Sequence, residues 1–235
     1  MVIMVRLVIF DLDGVITNTS YFHFLAWKQL ANELNIKFDN TINESLKGLS
    51  RMDSLERILE YNNISAKFTP AEKEELANRK NTYYVSMLEK LDKANIMPGI
   101  EEFLEELKKE KVYTAVASAS RNATFILDKL GLIDRFNYIV NPKEVARGKP
   151  FPDIFLKAAL ELGVHPYQCV GIEDSEAGIN SIKSAGMFSV GIGEEKFLYK
   201  ADLVLKSTSE LRFKTIKSFY ENWRTIKYSV LNSSI

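Results

Sequence analysis

The chain has 235 residues, of which 46% are hydrophobic, with 31 basic residues against 31 acidic ones and a single cysteine. That length suits one large domain or a domain with a sizeable insertion, and the composition is that of an ordinary soluble protein. The charge balance excludes a molecule-wide field for nucleic acid or anionic membrane, and the lone Cys169 excludes an intrachain disulfide framework.

The opening residues 1–6 are apolar, but too few for a signal segment or a membrane span, and no later stretch has that length. A cytoplasmic protein is expected. The run Val5-Arg6-Leu7-Val8-Ile9-Phe10 reads as a buried parallel strand that stops at Asp11-Leu12-Asp13-Gly14. In parallel sheets the chemistry sits outside the carboxyl ends of the strands. Taken alone, the two carboxylates are equally a strand stop and a turn.

Residues 20–91 show helical periodicity and no convincing strand. Phe24, Trp27, Leu30, Ala31 and Leu34 mark a first helix, with Asn35 placed to end it. A second is expected from Thr41 and a third from Met52 through Leu59. Thr69-Pro70-Ala71-Glu72 has the N-cap, first-turn proline and reciprocal glutamate of a fourth, which continues to Met87.

Beyond Met97-Pro98-Gly99 the pattern alternates. Helices are expected over 101–109, 123–130, 153–162, 175–185 and 209–223, and strands over 112–117, 138–140, 168–172, 188–192 and 201–205. Such alternation predicts an α/β fold, a parallel sheet flanked by helices, interrupted after its first strand by a helical insertion. Cys169 falls in a strand as a small buried hydrophobe. The tail 228–235 is expected to fray.

Several strand ends or the loops after them carry polar groups. The strand 112–117 runs into Ser118-Ala119-Ser120-Arg121-Asn122, small hydroxyls at a helix start that suit an anion. Lys149 lies in Arg147-Gly148-Lys149-Pro150, where an inward ammonium would meet phosphate. The strand 168–172 ends in Glu173-Asp174-Ser175. Adjacent carboxylates need a positive partner, and a hard divalent cation held by Asp11, Asp174 and Glu173 supplies one.

Asp11-Leu12-Asp13-Gly14-Val15, Ser118, Lys149 and Glu173-Asp174 match in order the four motifs of the haloacid dehalogenase superfamily, so the chain is similar to that family over almost its whole length. Finer detail resembles the β-phosphoglucomutase family within it. That detail is Thr19 to Trp27, Leu46-Lys47-Gly48-Leu49-Ser50-Arg51, Arg79-Lys80-Asn81, Ser118 to Asn122 and Gly171 to Gly178. Two departures are Arg121, where a lysine is expected, and Asn18, where an aspartate is expected near the hinge.

The resemblance implies a Rossmannoid core over 1–17 and 93–235 with a helical cap over 18–92. It implies Asp11 as the phosphoryl-accepting nucleophile and Asp13 as general acid and base. Mg²⁺ would sit on Asp11, Asp174, the Asp13 carbonyl and Glu173. Ser118, Ala119 and Lys149 would hold the transferring phosphoryl group, and Arg51, Ser120, Arg121 and Asn122 a second, distal phosphate. Thr19, His23 and Lys80 would couple closure to Asp13, and Trp27, Leu46, Lys47, Gly48 and Ser50 would cover the sugar.

The implied reaction interconverts β-glucose 1-phosphate and glucose 6-phosphate through β-glucose 1,6-bisphosphate. A sugar-phosphate phosphatase on the same fold is the alternative, and the cap loop from Lys47 to Arg51 favours the mutase. The implied partners are small sugar phosphates, with neither nucleic acid nor membrane, and a monomer is expected.

Overall fold

A computed structural model describes residues 4–46 and 48–232, with side chains to residue 226. Strand β1 (Leu7–Phe10) is buried on both faces. Val8 and Phe10 enter one apolar cluster and Leu7 and Ile9 another, as the two-residue period of a doubly covered strand requires.

The chain then leaves the sheet for α1 (Ser20–Glu33), α2 (Asn40–Glu44), α3 (Arg51–Tyr61) and α4 (Pro70–Leu88). Asn35 closes α1 in the left-handed region, and α4 opens with the expected capping box between Thr69 and Glu72. These helices enclose their own core of Trp27, Leu30, Leu55, Ile58, Leu59 and Leu76. A second face, with Ala26, Tyr84 and Leu88, joins the main core and roots the segment there.

The remaining elements alternate: α5 (Ile100–Lys109), β2 (Tyr113–Val116), α6 (Ala123–Lys129), β3 (Tyr138–Ile139), α7 (Asp153–Glu161), β4 (Cys169–Glu173), α8 (Glu176–Ser184), β5 (Phe188–Ile192), α9 (Glu195–Leu198), β6 (Leu203–Leu205) and α10 (Phe213–Asn232). All strand pairs are parallel, in the order β3-β2-β1-β4-β5-β6, with Phe10 level with Val116 and Ile172. The chain steps outward from β1 to β3, then crosses to β4 on the other side of β1. The reversal opens a crevice at the carboxyl end of β1, where ligands of such sheets bind.

α5, α6 and α10 cover one face, where Phe10 packs edge-on against Phe103 and Phe136 with ring centroids 5.9 and 5.8 Å apart. α7 and α8 cover the other. Cys169 is fully buried and burial pushes its thiol up to about 12, so it serves as core. Among the described residues no helix is long and apolar enough to cross a membrane.

The last helix differs from expectation. A short turn at Thr208–Glu210 comes first, held by Thr208 Oγ1 donating to the Pro98 carbonyl, and α10 begins only at Phe213. Phe213, Ile216 and Tyr220 bury at helical spacing and fix that start. No glycine or proline follows to stop the helix, which continues through most of the stretch expected to fray; residues 233–235 lie outside the described residues.

Candidate active site

The β1 ladder reaches to the edge of the crevice. The Asp11 amide donates to the Ile172 carbonyl at 2.9 Å, and the Ala117 amide donates to Phe10 at 2.8 Å. The Phe10–Asp11 peptide is therefore anchored from both sides. Gly14, at φ 89°, turns the chain so tightly against Asp174 that a Cβ there would collide with the Asp174 carboxyl group.

Lys149 comes in from the loop before α7 and is buried. Its Nζ donates to Asp11 Oδ1 and to Glu173 Oε1, at 2.5 Å each. Glu173 Oε2 accepts the Ser175 amide at 2.9 Å and the Ser175 hydroxyl at 2.8 Å. A Cβ on Gly178 would collide with the Glu173 carboxyl group, so α8 can pass behind it only with a glycine there. Glu173 is thus a fixed strut that aims Lys149 at Asp11. Burial raises the Asp11 carboxyl to about 7 against the pull of Lys149, while Asp11 and Glu173 raise the Lys149 ammonium and keep it charged.

One oxygen from each of Asp11, Glu173 and Asp174 lies within 4.8 Å of the others. Three carboxylates against one ammonium make the cluster net acidic, and an all-oxygen donor set fits a hard divalent cation.

A second constellation surrounds Asp13. Its carboxylate accepts a hydrogen bond from Thr19 Oγ1, and His23 Nε2 stands 3.9 Å from Asp13 Oδ2. Lys80 is buried, with Nζ 2.7 Å from His23 Nδ1 and 4.7 and 4.6 Å from the ring centres of Trp27 and Tyr84. Burial and the nearby Lys80 hold His23 well below its usual value, so the ring is neutral. With Nδ1 accepting from Lys80, the ring hydrogen sits on Nε2, which faces Asp13. The contact is therefore between a dipole and a charge. Burial also raises Asp13.

Burial, reinforced by Arg51, pushes the Lys80 ammonium from 10.5 down to about 7. A lowered base binds its proton less well folded than unfolded, so stability rises with pH between about 7 and 10.5. Lys80→Met lacks this term. Urea titrations at pH 7 and pH 9.5 are expected to show wild type gaining on Lys80→Met at the higher pH, by a few kcal/mol at most. A difference that stays constant, or moves the other way, contradicts the assignment.

Both constellations open into one cleft of about 940 Å³ including its mouth. Asp11, Asp13, Lys149, Asp174, Ser118 and Ala119 line its floor, and His23, Trp27, Leu46, Gly48, Arg51 and Lys80 come from the helical segment. Ser120, Arg121 and Asn122 complete it from the loop before α6, folded by Ser118 Oγ accepting the Ser120 amide and Ser120 Oγ accepting the Asn122 amide. Burial, then the Arg121 guanidinium, lowers Arg51. Two guanidiniums brought close in one cleft favour an anion between them.

Three expected site residues do not line the cleft. Thr19 sits behind Asp13, Glu173 sits behind Lys149, and Ser50 caps α3 through the Asp53 amide and lines a neighbouring groove. Lys47 lies outside the described residues. Trp27 both lines the cleft and packs in the helical core. Asn18 accepts the Ser20 amide at the start of α1.

The sequence alone gives no role to Asn81, which accepts a hydrogen bond from Asn122 at 2.9 Å across the two parts of the cleft, nor to Asn43 and Ser54 in the lining. Tyr84 lines the cleft as well. Its place one turn beyond Lys80 on α4 is the signal that would have found it.

A strand-end aspartate with a second two residues on, a buried lysine and an acidic pair at the end of β4 together define a haloacid dehalogenase-like enzyme. The haloacid dehalogenase-like hydrolase model matches residues 5–186, and the chain belongs to that family. It is 50% identical to a β-phosphoglucomutase of Bacillus subtilis, over 93% of this chain and 95% of that one. The crystal structure of a β-phosphoglucomutase from Clostridium difficile superposes with a TM-score of 0.93 at 45% identity, covering 94% of this chain and all of the other. A fructose-1-phosphate phosphatase of Escherichia coli is 32% identical over 78% of this chain and 94% of its own.

Proposed function

We propose that the chain interconverts β-glucose 1-phosphate and glucose 6-phosphate through a phosphorylated Asp11 and β-glucose 1,6-bisphosphate. The observation that carries this reading is a single cleft holding two anion seats, Lys149 and Ser118 beside Asp11 and the Arg51–Arg121 pair. A bisphosphate needs both seats at once. The half-identical B. subtilis mutase supports the same substrate class.

In this reading Asp11 attacks phosphorus, and Lys149, aimed by Glu173, offsets the charge that builds on the phosphoryl oxygens. Ser118 and the Ala119 amide hold those oxygens. Asp13 takes the proton from the attacking sugar hydroxyl and returns it to the leaving oxygen. Arg51 grips the distal phosphate from the helical segment, with Ser120, Arg121 and Asn122 opposite. Trp27, Leu46, Lys47, Gly48 and Ser50 shape the cover over the sugar, and closing it excludes water.

Asp11 and Asp174, with Glu173 and the Asp13 carbonyl, would hold Mg²⁺, which when bound screens nucleophile from phosphate. The cap is 18–92, moving on a core of 1–17 and 93–235 around Thr19, His23 and Lys80. The protein is taken as a cytoplasmic monomer that acts on small sugar phosphates, with no nucleic-acid or membrane partner.

Product analysis tests this. With Mg²⁺, β-glucose 1-phosphate and a trace of glucose 1,6-bisphosphate, glucose 6-phosphate is expected to form without comparable release of inorganic phosphate. Dominant phosphate release would replace the mutase by a sugar-phosphate phosphatase.

A further inference from the structure

Tyr84 is completely buried on α4, and its hydroxyl lies 2.8 Å from Thr19 Oγ1, the atom that donates to Asp13. A threonine hydroxyl has one hydrogen and two lone pairs. That hydrogen goes to the Asp13 carboxylate, which only accepts when ionised. While Asp13 is ionised, the hydrogen between the two hydroxyls therefore belongs to Tyr84. The chain is directional, Tyr84 O–H to Thr19 O–H to Asp13, and each link polarises the next. The ring does further work. It lies 4.6 Å from the Lys80 ammonium and 4.0 Å, centre to centre, from His23. One side chain thus touches Thr19, His23 and Lys80, three groups gathered around Asp13.

We propose that Tyr84 is a positioning residue for Asp13, fixing the Thr19 hydroxyl and through it the carboxylate that moves the sugar proton. The inference rests on Asp13 being the acid–base group. The phosphate seats at Ser118 and Arg121 are built by the loop before α6, so the effect of losing the Tyr84 hydroxyl falls on turnover and leaves substrate affinity in place.

The test is Tyr84→Phe, which deletes the hydroxyl and keeps the ring. Tyr220→Phe is the control: Tyr220 is equally buried on α10, outside the cleft, and donates to the Tyr167 carbonyl at 2.6 Å. Tyr84→Phe is expected to lower kcat about tenfold with KM for β-glucose 1-phosphate within about twofold. Tyr220→Phe is expected to keep kcat within about twofold while its melting temperature moves as much as that of Tyr84→Phe. The proposal is overturned if Tyr84→Phe keeps wild-type kcat, if the loss lies in KM, or if Tyr220→Phe loses kcat equally. Asp13→Asn, assayed alongside, separates the two levels. Turnover retained there overturns the acid–base reading itself, whereas a dead Asp13→Asn beside a fully active Tyr84→Phe overturns only the role of Tyr84.

Discussion

Asp11→Asn is expected to abolish turnover, lowering kcat by at least about 10⁴-fold while the protein still folds. The carboxamide has almost the same shape, and its oxygen can still accept from Lys149, which keeps a partner in Glu173. What is lost is the anionic oxygen that attacks phosphorus, and no other described group takes its place. Asp13 is turned toward Thr19 and His23, and Glu173 is held by Lys149 and Ser175. Steady-state assays with Mg²⁺, together with intact-mass measurement for an added phosphoryl group, check both halves. Wild-type turnover or a phosphorylated variant would refute the aspartyl-phosphate chemistry.

The second large effect is structural as well as catalytic. Lys149→Met removes the one ammonium bonded to both Asp11 and Glu173 and leaves two buried carboxylates facing an apolar thioether. Breaking a buried ion pair from one side costs roughly 3–5 kcal/mol, which in a chain of this size lowers the melting temperature by about 10 °C. Thermal melts belong in metal-free buffer at pH 7.5, since a bound cation would take over part of the lysine's role. Burial already raises Asp11 with the lysine present, and without its opposing pull the carboxyl goes higher. A raised carboxylate costs stability only above its unfolded value, so the deficit is expected to shrink as pH falls toward 5. An unchanged melting temperature would mean that Lys149 is not the counter-charge of the site.

These two experiments bear on residues that the chain advertises differently. Asp11 is legible because an apolar run stops there and a glycine follows. Helix ends were legible for a related reason. Gly131, Gly163 and Gly186 all take the left-handed conformation that glycine adopts without strain, so each marks a helix end in the sequence. Lys149 was legible as a charge and not as a contact. It meets Asp11 across 138 residues and Glu173 across 24, and only the parallel register of β1 and β4 brings those together.

The same limit explains Glu173, whereas the Ser50 contact is a local one. Glu173 reads as a metal ligand because it precedes Asp174; that its oxygens also meet Lys149 and Ser175 is visible only once Gly178 lets α8 pass behind it. Ser50 lies in the stretch that resembles the family, and its hydroxyl caps α3 locally. The start of α10 was set by buried contacts of Phe213, Ile216 and Tyr220, which outweigh the serines at 207 and 209. Local punctuation was readable, and long-range pairing was not.

What attacks phosphorylated Asp11 is the central question, and a single-turnover chase answers it most directly. Enzyme loaded from glucose 1,6-bisphosphate carrying radioactive phosphate is mixed with unlabelled β-glucose 1-phosphate. The label is expected to leave Asp11 as sugar bisphosphate and glucose 6-phosphate, faster than it is lost in buffer alone. Label appearing mainly as inorganic phosphate, at a rate indifferent to the added sugar, would contradict the mutase reading.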